Sequence, residues 1–219
     1  MEKNCGSNKG NTILKKTAIA LEKEKISSFR FDFSGNGESE GEFYYGNFNS
    51  EDDDDLHYVI QHLSNKMNRV VPVILGHSKG GDVVLLYASK YRDNIRNVVN
   101  ISGRFDLKKG IRLGDNYLER IKEEGFIDAV ESNSCFRLVF KIDKDCKVLT
   151  VHGSNDTIVP VEDAKEFAKV YRTTSWRLCK ELNHGYTNHQ EPLVATVVEF
   201  IKTVILEQQL SLGDCSSSS

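Results

Sequence analysis

The sequence predicts an α/β fold built on a mostly parallel, doubly wound sheet. Two continuous apolar runs, at 70–75 and 147–152, have the composition of strands buried on both faces. Segments with helical periodicity alternate with these runs, and that alternation is typical of parallel βαβ units covered by helices on both sides. The 219 residues, of which 39% are hydrophobic, are enough for one such domain with a packed core.

The first part of the chain alternates helix and strand. Apolar residues at helical spacing predict a helix at 13–24, and the aromatic and β-branched residues of 26–33 predict a strand that ends at the glycine-rich turn 34–37. Acidic residues 51–55 favour the start of a second helix, through about residue 64, because their charge complements the positive end of the helix dipole.

The remaining elements continue the alternation after the buried run at 70–75. Apolar periodicity and strand composition define them in the same way. The predicted elements are a helix at 82–91, a strand at 98–101, a strand at 147–152, a helix at 162–170, a strand at 176–182 and a last helix at 191–206.

One segment interrupts the alternation. Residues 106–144 contain a charged stretch, predicted as a helix at 116–124, followed by an irregular stretch, and we interpret the whole as a short cap insertion over the carboxyl edge of the sheet. The serine-rich end of the chain has low complexity. We therefore predict a single domain at 1–210 with a disordered tail at 211–219.

Composition narrows the classes of partner. The net charge of −3 gives no general electrostatic reason to expect nucleic acid or an anionic membrane, so a small molecule is the favoured partner. The five cysteines are scattered without a C-x-x-C pair, which argues against a disulfide framework or a zinc site. No leader-like or membrane-length apolar run is visible, and we predict a cytoplasmic location with the chloroplast as the alternative.

The most specific motif is Gly76-His77-Ser78-Lys79-Gly80. It follows a predicted buried strand and precedes a predicted helix, which is the context of a nucleophile elbow. We expect a tight, strained turn in which glycine at both flanking positions lets strand and helix approach while Ser78 projects into the cleft. Ser78 is therefore the candidate nucleophile.

A serine nucleophile needs a histidine base, which in turn needs a carboxylate. In elbow hydrolases the acid and then the base follow the serine along the chain. Asp156 lies in a polar turn directly after the strand at 147–152, where a side chain reaches the cleft; a turn or helix cap is its alternative role, and Asp163 is a competitor inside the next helix.

Two histidines follow Asp156. His184 lies in a loop between the last strand and the last helix and is the predicted base. His189 falls near the start of the helix, but the two histidines are so close in sequence that spacing alone does not decide between them. We interpret His152 as a packed, hydrogen-bonded residue and His77 as pointing away from the site. The other two, His57 and His62, belong to the acidic helix and are expected to be solvated.

Two other motifs carry a weaker functional signal. Residues 35–39 lack the third spaced glycine and the Lys-Ser/Thr pair of a phosphate loop, so we do not expect nucleotide binding. The acidic run 51–55 lacks the spacing of a calcium loop and fits a solvated helix start. No cofactor and no metal are predicted.

Several segments together resemble α/β-hydrolase fold proteins of the serine aminopeptidase (S33-like) and acyl-esterase type, in the branch widespread in plants and related to bacterial cinnamoyl or feruloyl esterases. The resemblance covers most of the chain. It implies Ser78 as nucleophile, Asp156 as acid, His184 as base and the backbone N–H of Lys79 as an oxyanion donor. The segments that carry it are 29–41, 74–81, 148–160 and Asn183-His184.

The chain departs from that family at two places. The family takes a second oxyanion donor from an N–H after a His-Gly pair that ends an earlier strand, whereas this sequence starts at the helix that would follow, with only Cys5-Gly6 nearby. We therefore expect the early strands and that donor to be missing, at a cost of about 10²–10³ in rate. The cap segment at 130–140 is also shorter than in the family.

Two functional hypotheses follow from the sequence. The first is a serine hydrolase that cleaves a small-molecule ester, or less readily an amide, through an acyl-enzyme. The second is a catalytically impaired hydrolase-fold protein that acts as a ligand-binding or interaction module. The first predicts a reactive serine and the second does not.

Overall fold

The computed structural model describes residues 11–41, 50–91, 95–105, 126–131, 134–139, 142–170, 174–187 and 190–216. Within these residues five helices and six strands are formed. The helices are α1 (Thr12–Lys23), α2 (Ser50–Asn65), α3 (Lys79–Lys90), α4 (Val161–Val170) and α5 (Glu191–Ser216). The strands are β1 (Ile74–His77), β2 (Asn97–Ile101), β3 (Phe126–Glu131), β4 (Ser134–Val139), β5 (Lys147–Gly153) and β6 (Thr174–Cys179).

The main sheet has four parallel strands in the order β1-β2-β5-β6. Pairing runs Ile74↔Val98 between β1 and β2, Asn97↔Lys147 between β2 and β5, and Val148↔Thr174 between β5 and β6. The strands β2 and β5 are almost entirely buried, because parallel strands are covered on both faces. The predicted parallel α/β architecture is confirmed.

Two hydrophobic clusters cover the two faces of this sheet. Alternate side chains of a strand point to opposite faces, so Val98 and Val148 pack with α2 and α3. Their neighbours Val99 and Leu149 pack on the other side with α1 and α5. The carboxyl ends of the strands therefore meet at one edge between two helical layers, which is where an open α/β sheet binds its ligand.

The predicted strand at 26–33 is not formed. Phe31 and Phe33 pack against the cluster beside α2 and α3, whereas Phe29 is exposed. Among the described residues no strand pairs with the 26–33 segment, and the sheet ends at β1. Strand composition was a misleading signal here, because strand propensity depends on cross-strand neighbours more than on the backbone.

Several predicted boundaries also differ. The helix predicted at 82–91 begins at Lys79, and the strand predicted at 176–182 spans Thr174–Cys179. The first buried strand begins at Ile74 rather than at residue 70, because pairing with β2 starts there, and Val70 is 85% exposed. The last helix continues from the predicted end at 206 to Ser216, into the segment predicted as a disordered tail. Glu207, Gln208 and Gln209 are strong helix formers, which explains the longer helix.

The predicted cap insertion, 106–144, is described in part. Its charged helix at 116–124 lies outside the described residues. The stretch predicted as irregular contains β3 and β4, an antiparallel pair in the register Phe126↔Val139. Two six-residue runs rich in β-branched and aromatic residues, separated by two polar residues, are a hairpin signal that the sequence did contain. None of the described helices combines the length and apolarity that a membrane span requires.

Candidate active site

Ser78 lies at the sharp turn between β1 and α3. Its backbone has φ 55° and ψ −125°, a conformation that L-residues rarely adopt and that marks a strained elbow. A Cβ on Gly76 would come within 1.9 Å of the carbonyl oxygen of Gly80, so strand and helix touch through that glycine. The expectation that Gly80 also has no room for a side chain is wrong, because a Cβ added there would meet no described atom within 4 Å.

The residue after the serine is the first residue of α3. Lys79 therefore places its backbone N–H at the positive end of the helix dipole, beside the Ser78 side chain. An N–H in this position stabilises negative charge that develops on an oxygen close to the Ser78 side chain. Cys5-Gly6, the nearest sequence counterpart of the family's second donor, lies outside the described residues, so the expectation that this donor is missing stays a prediction.

Asp156 lies in the turn between β5 and α4. Its Oδ1 accepts the backbone N–H groups of Ile158 and Val159 at 2.9 and 2.8 Å, which closes the turn, and its side chain is fully buried. Burial alone would raise the pKa of this carboxyl. The hydrogen bonds from His184, Val159 and Ile158 outweigh burial and lower the pKa of Asp156 below its usual value, so the group is ionised at neutral pH.

His184 lies in the loop between β6 and α5 and connects the other two side chains. Its Nδ1 is 2.8 Å from Asp156 Oδ2, and its Nε2 is 2.9 Å from Ser78 Oγ. Because Asp156 is ionised, Nδ1–H donates to it, and the lone pair of Nε2 accepts from the serine hydroxyl. Three predicted site residues, from three separate turns at one edge of the sheet, thus form one hydrogen-bonded chain.

Where they are described, the competing side chains make other contacts. Asp163 accepts the backbone N–H of Phe105 at 2.8 Å, and His189 lies outside the described residues. His152 is fully buried and bonds the carbonyl of Val159 at 2.9 Å, as interpreted from the sequence. For His57 the prediction of a solvated side chain is wrong, because its Nδ1 is 3.1 Å from the hydroxyl of Tyr87.

Two contacts near the site were not foreseen. The expectation that His77 points away from the site is wrong, because its Nε2 is 2.9 Å from the backbone carbonyl oxygen of His184 and the centroids of the two rings are 5.0 Å apart. His152 Nε2 is 3.5 Å from Asp156 Oδ2, the same oxygen that binds His184. Nothing in the local sequence signals either contact, since each depends on which loop packs against the end of a strand. Among the described residues no group of three His, Cys, Asp or Glu side chains could hold a metal ion.

A buried acid lies beneath the elbow. Asp82, in the first turn of α3, accepts the backbone N–H of Arg104 at 2.8 Å and so holds the segment that follows β2. Burial raises the pKa of Asp82 well above its usual value, and the negative charge of Asp163 adds to this. The hydrogen bond from Arg104 and the charges of Arg104 and Lys79 oppose the shift only in part.

Replacing Asp82 with Asn is expected to stabilise the protein at neutral pH. A carboxyl whose pKa is raised by folding contributes stability below its unfolded pKa of about 3.9 and loses that contribution as the pH rises through its folded pKa. The amide oxygen keeps the bond from Arg104 without this loss. The melting temperature of Asp82→Asn should exceed that of the wild type at pH 7, and the difference should be smaller at pH 4. For a domain of this size, 1 kcal/mol of stability corresponds to about 2–4 °C in melting temperature.

The control for this measurement is Asp54→Asn. Asp54 is about half exposed and contacts Lys90 across the surface at 3.7 Å, so its substitution should change the melting temperature little at either pH. A difference between Asp82→Asn and the wild type that does not grow with pH would contradict a raised pKa at this carboxyl.

The fold and the site together place the protein in a class. A parallel sheet covered on both faces, with a serine on a strained strand-to-helix turn that contacts a His–Asp pair, defines an α/β hydrolase. The profile of the family described as serine aminopeptidase, S33, matches residues 6–130, more than half of the chain. The protein therefore belongs to the serine aminopeptidase S33 family.

Solved structures share the same fold. Est1E from Butyrivibrio proteoclasticus with ferulic acid bound is 23% identical, with 91% of this chain and 85% of that chain covered at a TM-score of 0.68. XC6422 from Xanthomonas campestris, an α/β serine hydrolase without a lid, is 16% identical over 90% and 75% of the chains at 0.65. Mouse α/β hydrolase domain-containing protein 10 is 18% identical over 92% and 88% at 0.58. No curated protein matches the sequence.

Proposed function

We propose that this hydrolase cleaves the carboxylic ester of a small molecule through an acyl-enzyme intermediate. The observation that carries the proposal is the chain of two contacts, 2.9 Å from Ser78 Oγ to His184 Nε2 and 2.8 Å from His184 Nδ1 to Asp156 Oδ2. A serine hydroxyl is a weak nucleophile until a base removes its proton, and this geometry provides the base and the carboxylate that orients it.

The first half of the reaction acylates the serine. Ser78 Oγ attacks the ester carbonyl carbon while His184 Nε2 accepts the hydroxyl proton, and Asp156 stabilises the imidazolium that results. The carbonyl oxygen becomes an oxyanion near the N–H of Lys79 at the start of α3. Collapse of this intermediate breaks the bond to the alcohol, which leaves with the proton from His184.

The second half releases the acid. Water attacks the acyl carbon as His184 removes one of its protons, and the bond to Ser78 breaks as that proton returns to the serine oxygen. Ester and water are thereby converted to acid and alcohol, and no cofactor takes part. An amide leaves less readily than an alcohol, so we place amides second.

The substrate class proposed is an ester of an aromatic acid of the hydroxycinnamate type. Its support is the likeness in sequence motifs to acyl esterases and the similar fold of Est1E, which has ferulic acid bound. The proposal predicts that methyl ferulate is hydrolysed with a higher kcat/KM than p-nitrophenyl acetate or p-nitrophenyl butyrate. The reverse order would contradict the aromatic preference and leave the hydrolase mechanism in place.

A fluorophosphonate probe tests the mechanism. The probe phosphonylates a serine only where a base activates it, so the folded protein should be labelled at the peptide that contains Ser78, as identified by mass spectrometry, and heat-denatured protein should not. Prior incubation with an ester substrate should slow the labelling. Folded, soluble protein that does not react would contradict the proposal and favour the alternative, a hydrolase-fold binding module.

A further inference from the structure

His77, the residue before the nucleophile, has a side chain that reaches the loop of the base. It ends β1 and is 4% exposed. Its Nε2 is 2.9 Å from the backbone carbonyl oxygen of His184, and the centroids of the two imidazole rings are 5.0 Å apart. The elbow therefore contacts the base twice, through Ser78 on its ring and through His77 on its backbone.

The hydrogen atoms of this contact can be assigned from the partners. A carbonyl oxygen only accepts, so Nε2 of His77 must carry the proton. Its Nδ1 then presents a lone pair, and the side-chain amide nitrogen of Asn11 lies 3.2 Å from it. The orientation of that amide is set in turn, because Asn11 Oδ1 accepts the backbone N–H of Ile13 at 2.9 Å.

The result is a one-directional chain of donors. Ile13 N–H donates to Asn11, Asn11 donates to His77, and His77 donates to His184. Asn11 is the N-cap of α1, so the chain joins the start of that helix to the elbow and to the loop after β6. Reversing any one of these hydrogen bonds would place two donors or two lone pairs against each other. The N-cap residue Asn11 therefore favours the tautomer of His77 that carries its proton on Nε2.

The base loop is held at the other side by Tyr186. That residue has φ 51°, is fully buried and has its hydroxyl 2.9 Å from Ser102 Oγ. His77 thus holds the base loop at the carbonyl of His184, and Tyr186 holds it two residues further along the chain. Asp156 and Ser78 contact the two nitrogens of the ring, so the backbone contacts add to the constraints on its position.

We propose that His77 is a positioning residue, which holds the His184 backbone so that its ring meets Ser78 and Asp156, and that Asn11 sets the tautomer of His77 that this requires. The inference rests on the proposed function for its kinetic consequence. A misplacement of about 1 Å in a reacting group can cost on the order of a hundredfold in rate, so a lost backbone anchor should lower kcat more than it raises KM.

Three variants test the chain. His77→Leu removes the donor, His77→Gln restores an N–H donor at the reach of Nε2, and Asn11→Ser keeps a good helix N-cap without an amide donor. We expect kcat for ester hydrolysis to fall roughly ten- to a hundredfold in His77→Leu with KM within about threefold of wild type. His77→Gln should recover most of the loss, and Asn11→Ser should fall between.

The matched control is His62→Leu, the same substitution at an exposed position of α2, which should leave kcat unchanged. A wild-type kcat in His77→Leu would overturn the proposal, as would a His77→Gln variant no better than His77→Leu. If substitutions at the elbow prevent folding, Asn11→Ser decides alone, because it lies outside the elbow and removes the amide donor to His77 Nδ1: an unchanged kcat there overturns the role of the tautomer.

A spectroscopic arm separates this inference from the proposed function. Imidazole nitrogen shifts in ¹⁵N NMR spectra distinguish a ring protonated at Nε2 from one protonated at Nδ1, with no need for turnover. We expect His77 to carry its proton on Nε2 in the wild type, and we expect a smaller fraction of that tautomer in Asn11→Ser, where the carbonyl of His184 still favours it but the amide donor to Nδ1 is gone. If the wild type hydrolyses no ester, the proposed function fails while this result still decides the inference, and an Nδ1–H tautomer or a mixture in the wild type overturns it.

Discussion

Replacing Asp156 with Asn is expected to lower kcat for ester hydrolysis by about 10⁴-fold while the protein remains folded. The amide oxygen can still accept the N–H groups of Ile158 and Val159, so the turn survives. The amide nitrogen then faces His184 Nδ1 as a donor. His184 must therefore present a lone pair there and carry its proton on Nε2, which is the wrong tautomer to accept the proton of Ser78.

Steady-state kinetics and a melting curve check this prediction together. KM should change little, because the carboxylate acts on the base and not on the bound substrate. The control is Asp145→Asn, the same substitution at an exposed position in the turn before β5, which should keep the wild-type kcat. An Asp156→Asn variant within tenfold of the wild type in kcat would contradict the assignment of Asp156 as the acid.

Gly76→Ala is expected to lower the free energy of unfolding by more than about 4 kcal/mol, which is a large part of the stability of a typical domain. The added Cβ would lie 1.9 Å from the oxygen and 2.1 Å from the carbonyl carbon of Gly80, and 2.7 Å from the nitrogen of Gly81. All three are backbone atoms at the start of α3, so the strand and the helix would have to separate. That separation would also displace Ser78.

Gly80→Ala is the matched control, since it makes the same change on the other side of the same contact. Its Cβ would meet no described atom within 4 Å, and alanine is a better helix former than glycine, so the stability should rise by up to about 1 kcal/mol. Urea unfolding followed by circular dichroism measures both variants. A Gly76→Ala protein within 1 kcal/mol of the wild type would show that this close contact does not exist.

The strained turn was predictable because its determinants are local. A buried apolar strand, a pentapeptide with two glycines and a following helix are adjacent in the chain, and they lead to the positive φ observed at Ser78. The same reasoning placed Asp156 after β5 and His184 after β6, since the carboxyl ends of parallel strands meet at one edge. What the motif did not reveal is which glycine carries the contact.

The strand predicted at 26–33 shows where local reasoning fails. Its aromatic and β-branched residues fit a strand, yet no described strand pairs with it, and Phe31 and Phe33 pack against helices instead. A strand exists only through hydrogen bonds to a neighbouring strand, and in a parallel sheet that neighbour is distant in sequence. The insertion at 106–144 is the opposite case, since β3 and β4 are close in the chain and their pairing needs only a short connection.

The sequence by itself determined the α/β class, the order of the helices and strands from β1 to α5 apart from β3 and β4, and the three turns that present Ser78, Asp156 and His184. These follow from periodicity and motifs that extend over a few residues. Only the tertiary structure decided that Asp82 is a buried acid and that His77 donates to the backbone of His184, 107 residues away. The physical reason is that burial and hydrogen-bond partners belong to pairs of segments, and a pair is formed only when the layers pack.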